Sequence, residues 1–258
     1  MNTWRTLYLK ELKDHRGVFL FLVIVTLCLD LYALIQVYQI MGRTSFSALD
    51  VVFYPVLAIL SYGAVFLLPF ILAHSFSTES KAGTHYLLFS LPVRRSAIVL
   101  CKFLAVLSVG VVLFVLTTGT LHLLYLKMRV LLDSNPGLAG GVATIRGTDM
   151  WLTLGNGYFS ILLLFLGLVS AMEGLKFACK RFRGLVVMVF FIGSLFLFNL
   201  LRGPGMELLG LASREGWMLG PELQAQREIS LESVVYSALA CVVLLGLGLW
   251  LFEKHAEV

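Results

Sequence analysis

Residues 76–125 read FSTESKAGTHYLLFSLPVRRSAIVLCKFLAVLSVGVVLFVLTTGTLHLLY, a polar, basic island followed from Ala97 to Tyr125 by an apolar run that carries one lysine, Lys102. As a helix rising 1.5 Å per residue, that run is long enough to cross a hydrocarbon layer about 30 Å thick. Working outward, the same kind of run recurs at Val18 to Ile40, Val52 to His74, Gly157 to Ala178, Leu185 to Leu201 and Val234 to Phe252, which makes six candidate spans. The runs are continuously apolar, whereas strands of a membrane barrel alternate over about 10 residues, so helices are expected. Composition agrees: 59% hydrophobic residues, 14% charged and a mean hydropathy of +0.91 exceed what a water-soluble core of 258 residues requires. The expected fold is an all-α polytopic membrane protein of six transmembrane helices.

Lysine and arginine are retained in cytoplasmic loops, and their placement sets the orientation. With the N-terminus inside, the inner segments hold Arg5, Lys10, Lys13, Arg16, Lys81, Arg94, Arg95, Lys102, Lys176, Lys180, Arg181, Arg183 and Lys254, most of the 20 basic residues. The rest lie in longer outer loops among acidic residues, so both termini are expected in the cytoplasm, with no cleaved leader. Topology and contact with anionic lipid account for the net charge of +5; the basic, aromatic-bearing soluble surface of a nucleic-acid binder is missing. Cys28, Cys101, Cys179 and Cys241 fall in spans or an inner loop without zinc-ligand spacing, so free thiols and no structural metal are expected.

Residues 1–16 form their own unit. Trp4, Leu7, Tyr8 and Leu12 recur at helical spacing while Arg5, Lys10, Lys13 and Asp14 take other faces, the pattern of an interfacial helix lying along the inner leaflet before Gly17 turns the chain inward. The remainder, 17–258, is one transmembrane domain with an inner loop at 75–96, an outer loop at 126–156 and an outer re-entrant segment at 202–232. In the inner loop, Gly83 breaks the helix leaving the second span and Thr84 can cap a short helix through Leu88 and Phe89. Pro92 ends that helix, because proline disfavours helical conformation in the residue before it. Arg94 and Arg95 then sit at headgroup depth. A short transverse helix bracketed by two spans transmits force to both; read blandly, the same residues are an ordinary loop with topology signals.

Ionisable groups within lipid cost at least about 2.5 kcal/mol each on insertion scales. Asp30, near the middle of the first span, reads either as part of a transport path or as a structural hydrogen-bonding group. Asn199, near the outer end of the fifth span, offers the same two readings. Glu173 and Lys176 are spaced for a local ion pair, and His74 and His122, at span ends, read as interfacial. The 202–232 segment, with Gly203-Pro204-Gly205, Trp217 and Gly220-Pro221, is too apolar for a free loop and suits a short re-entrant or interfacial pair of helices. The stretch Asp133 to Asp149 is glycine-rich and polar, as in a loop.

Glu79, the Gly83-Thr84 pair, the Leu87-Leu88 pair, Ser90-Leu91-Pro92, the pair Arg94 and Arg95, and Lys102 together closely resemble the loop between the second and third spans of type 2 ATP-binding-cassette exporter permeases. The resemblance extends to the amphipathic N-terminal helix, the six spans, the short basic loop after the fourth and the long outer segment before the last. It implies a bacterial inner-membrane permease subunit that pairs with a second copy or a relative and rests on separate cytoplasmic ATPase subunits. Glu79, Lys81, Gly83, Thr84, His85, Leu87, Leu88, Pro92, Arg94 and Arg95 would take up the motion of those ATPases. ATP and Mg would be bound by the partner, for this sequence contains no Gly-x-x-x-x-Gly-Lys-Ser/Thr loop and no cofactor site of its own. The family often has a second acidic residue near Glu79, where this chain has Ser80 and Lys81, so the residue that bridges to the interfacial helix is left open.

Enzyme patterns are absent from the sequence. No Gly-x-Ser-Gly elbow is followed by a histidine in a later span, and no His-Glu-x-x-His motif occurs. Two other classes stand beside the exporter reading. One is a membrane scaffold or sensory subunit that uses an ATPase contact to signal; the other is an ion-coupled secondary transporter, which calls for inverted repeats and more intramembrane charge. The spans are apolar because they face lipid, so they do not name a substrate.

Overall fold

The computed structural model describes residues 3–41, 63, 65–82, 95–134, 147–179, 182–208 and 231–255. These form helices α1 (Thr3–Asp14), α2 (Arg16–Met41), α3 (Leu68–Ala82), α4 (Arg95–Ser134), α5 (Gly147–Ala178), α6 (Arg183–Leu208) and α7 (Leu231–His255). Five of the described helices contain a stretch long and apolar enough to cross a membrane: Arg16–Gln36, Ser96–Thr120, Gly155–Ala178, Arg183–Leu201 and Ser233–Lys254. The protein is an integral, multi-pass, all-α membrane protein. The expected span Val52 to His74 falls mainly outside the described residues, which include only its last part, in α3.

Helix α5 is the hub. Some 61% of its span is buried, against 6% for α6, and it packs on α3, α4, α6 and most closely on α7. That closest contact depends on missing side chains. A Cβ on Gly248 would lie 2.6 Å from the carbonyl oxygen of Ser170, and one on Gly174 would lie 2.8 Å from that of Gly248. Lipid tails are as apolar as leucine, so helices in a membrane associate through such close backbone approach rather than through a hydrophobic driving force. Leu68, Leu72, Leu113, Leu162 and Leu166 fill the centre between α3, α4 and α5. Large apolar side chains such as Phe70, Phe196 and Val243 are more than two-thirds exposed, as residues facing lipid should be.

Several element ends differ from the sequence expectation. The chain bends at His15, not Gly17, and Gly17 lies inside α2. The bend keeps its hydrogen bonds, His15 N–H to the Glu11 carbonyl and Phe19 N–H to the His15 carbonyl, so α1 and α2 meet at a kink rather than a loop. Helix α4 runs to Ser134, about 60 Å in all, and α5 begins at Gly147, so the outer loop expected at 126–156 is helical at both ends. Helix α6 continues through Gly203-Pro204-Gly205 to Leu208 where a break into interfacial helices is expected; the surrounding helical backbone outweighs one proline at a helix end. The rest of the re-entrant segment, 209–230, lies outside the described residues. Between α5 and α6, Phe182 takes a left-handed backbone (φ 61°), which closes the connection in four residues and holds the two helices together.

Candidate functional site

Helix α1 carries the series Trp4, Tyr8, Glu11 at i, i+4 and i+7, one stripe of a helix. The structure turns that stripe onto the first turns of α4. Cys101 Sγ approaches the Trp4 carbonyl at 3.7 Å, and the Tyr8 hydroxyl donates to Ser108 Oγ at 2.9 Å. Glu11, 5% exposed, meets Lys102, 2% exposed, with 3.0 Å between Oε2 and Nζ. The Lys102 ammonium also donates to Ser75 Oγ on α3 at 2.7 Å and lies 5.6 Å from the centre of the Phe76 ring. Three helices, α1, α3 and α4, are thus joined at one buried ammonium.

An isolated buried charge is costly, whereas a buried pair with further hydrogen bonds is tolerated, and removing one partner from such a pair costs about 3–5 kcal/mol. The node therefore holds α1 against α3 and the first turns of α4, and an aromatic stack extends it. Phe76 stacks on Phe252 of α7 at 5.8 Å between ring centres, and Phe252 meets Phe177 of α5 at 4.9 Å. His15, at the kink, is surrounded by Glu11, Asp14, Lys102 and His74; burial pushes its pKa below 6.5, as do Lys102 and His74, while Glu11 and Asp14 pull it upward.

Other sequence candidates fall as follows. Glu79 and Lys81 lie in the last turns of α3, and Arg95 opens α4. Gly83, Thr84, His85, Leu87, Leu88, Pro92 and Arg94 lie outside the described residues, between those two helix ends. Trp4 is half exposed, and Leu7, Tyr8 and Leu12 are partly buried. Asp30 is 3% exposed at the contact of α2 with α4, where Thr120 Oγ1 lies 3.3 Å from its Oδ2. Asn199 is exposed on α6 and does not join it. The Glu173–Lys176 ion pair expected from their spacing is present.

Glu11 and Ser75 are the residues that sequence reasoning missed. Glu11 had a signal, because it extends the Trp4–Tyr8 stripe and so puts a carboxylate on the packing face of an amphipathic helix. Ser75 had none, since nothing local marks a serine as the partner of a lysine on the next helix.

Among comparisons with known proteins, the family model described as ABC-2 family transporter protein matches residues 10–170, more than half of the chain and including Glu11, Ser75 and Lys102. No curated protein and no solved structure matches the chain at a significant level.

Proposed function

Since the chain belongs to the ABC-2 family of transmembrane transporter proteins, whose members are non-catalytic membrane subunits that generally work with cytoplasmic ATPases, we propose that it is the permease subunit of an ATP-driven exporter. In this reading the chain crosses the membrane six times with both termini in the cytoplasm of a bacterial cell. It pairs with a second permease and receives motion from separate ATP-binding-cassette subunits through residues 79–95. Asp30 lies on or beside the transport path.

The observation that carries the reading is the Lys102 node. The two helix ends that flank residues 83–94 are Ala82 of α3 and Arg95 of α4, and each lies about two turns from a member of the node, Ser75 or Lys102. Glu11 brings the interfacial helix to the same point. A displacement of the 83–94 segment is then delivered to α1, α3 and α4 together, and through Phe76, Phe252 and Phe177 to α7 and α5. The bridge to the interfacial helix runs from Lys102 in this account, rather than from a second acidic residue near Glu79.

The test is to express the chain with its partner ATPase, replace residues 84–92 by a glycine-serine linker of equal length, and measure assembly and ATP hydrolysis in liposomes. The expected result is a helical, membrane-inserted chain that no longer holds the ATPase or alters its turnover. Unchanged hydrolysis and assembly would contradict the proposal.

A further inference from the structure

Tyr8 on Ser108 and Glu11 on Lys102 clasp α1 to α4, and α1 passes into α2 at the His15 kink. The kink keeps helical geometry on its α1 side, since the His15 N–H donates to the Glu11 carbonyl at 3.2 Å. His15 and Glu11 are therefore four residues apart on one helical face, the order in which an acid and a following cation attract. The His15 ring lies 5.9 Å from that of Phe19, a core residue, yet it is only partly buried, so protons reach it from water.

The influences on His15 divide by element. Burial is the largest and disfavours the imidazolium, and among the described residues Lys102 on α4 and His74 on α3 act in the same direction. Glu11 and Asp14, which favour it, are on α1 itself. If α1 moves, Glu11 and Asp14 travel with His15, whereas Lys102 and His74 stay behind and the ring gains water. Movement of α1 away from α3 and α4 therefore keeps what favours the proton and removes what opposes it. A site that binds a proton more tightly in the open arrangement is driven open by that proton. A charged His15 also acts on the node, because it offers the Glu11 carboxylate a cation on its own helix and sets a like charge beside Lys102.

We propose that the α1–α2 junction is a proton-operated latch: with His15 neutral, α1 is fastened to α3 and α4 through Glu11, Lys102 and Ser75, and with His15 protonated, Glu11 turns to His15 and α1 releases from α4. In that step an O–H bond of a hydronium ion breaks and an N–H bond forms on the imidazole; no other covalent bond changes. The latch goes beyond the exporter reading and does not depend on it, because every group involved belongs to this chain.

Distances between nitroxide labels at Leu9→Cys on α1 and Leu104→Cys on α4, both exposed positions, test the latch in the full-length chain in lipid nanodiscs. Cys28→Ser and Cys179→Ser remove the accessible native thiols, the buried Cys101 and Cys241 are kept, and labelled chain is diluted into unlabelled chain so that each distance lies within one molecule. Between about pH 8 and about pH 5, the chain with His15 should gain a longer distance at the expense of the shorter one, with the change falling below pH 6.5. His15→Gln should keep the shorter distance throughout, and His15→Lys should show the longer one already at about pH 8. The His15→Lys measurement reads the effect of the charge even if His15→Gln does not fold. A distance that does not change with pH when His15 is present, an equal change in folded His15→Gln, or a His15→Lys chain that keeps the shorter distance would overturn the proposal.

Discussion

At the residue scale, Lys102 is the side chain whose removal the fold should feel most. Lys102→Ala strands the Glu11 carboxylate beside Ser75 in a buried place and should destabilise the chain by about 3–5 kcal/mol, whereas Lys102→Met with Glu11→Leu removes both charges and should recover most of that loss. Thermal unfolding of the three chains in lipid nanodiscs measures this, and a double variant no more stable than the single one would contradict a buried pair. His15 gives a pH signature. Its folded pKa lies below 6.5, so the unfolded chain binds the proton first. The stability His15 contributes is therefore complete above pH 6.5 and is lost as pH falls below that value toward the folded pKa. Wild type should lose more thermal stability than His15→Gln on acidification through this window, with Glu11, Asp14, Lys102 and His74 the charged neighbours that set its extent. Equal losses in both chains would remove His15 as the cause.

At the scale of elements, long uninterrupted apolar runs made α2, α4, α5, α6 and α7 legible, because a membrane leaves helix as the only open way to satisfy their backbones. Their ends were not legible. Glycine and proline signals at Gly17 and at Gly203-Pro204 are statements about local preference, and the helices continue through both. The site was half readable: Lys102 stands out as a lone charge in an apolar run, but its partners come from helices whose packing no local pattern encodes. The α5–α7 contact belongs here too. Gly248→Leu must push the Ser170 backbone away and should cost about 1–3 kcal/mol, while Gly246→Ala, with nothing within 4 Å of the added carbon, should be neutral or slightly stabilising. Equal effects of the two in thermal unfolding would show that α5 and α7 are not in close backbone contact.

At the scale of the whole molecule, polar joints tie the described helices together, among them the Glu11–Lys102–Ser75 node at one end of α4 and the Asp30–Thr120 contact further along it. Helix α4 is common to both, so a displacement applied at its first turns reaches the Asp30–Thr120 contact, about 27 Å further along, through one continuous helix. The central claim is that this displacement comes from a cytoplasmic ATPase bearing on residues 84–92. The most direct measurement is cysteine crosslinking from Leu88→Cys in inside-out and right-side-out vesicles containing the assembled complex. The account predicts a crosslink to the ATPase whose yield changes with bound ATP, and labelling of the cysteine by an impermeant reagent only from the cytoplasmic face. Labelling from the opposite face, or no crosslink to the ATPase in any nucleotide state, would contradict it.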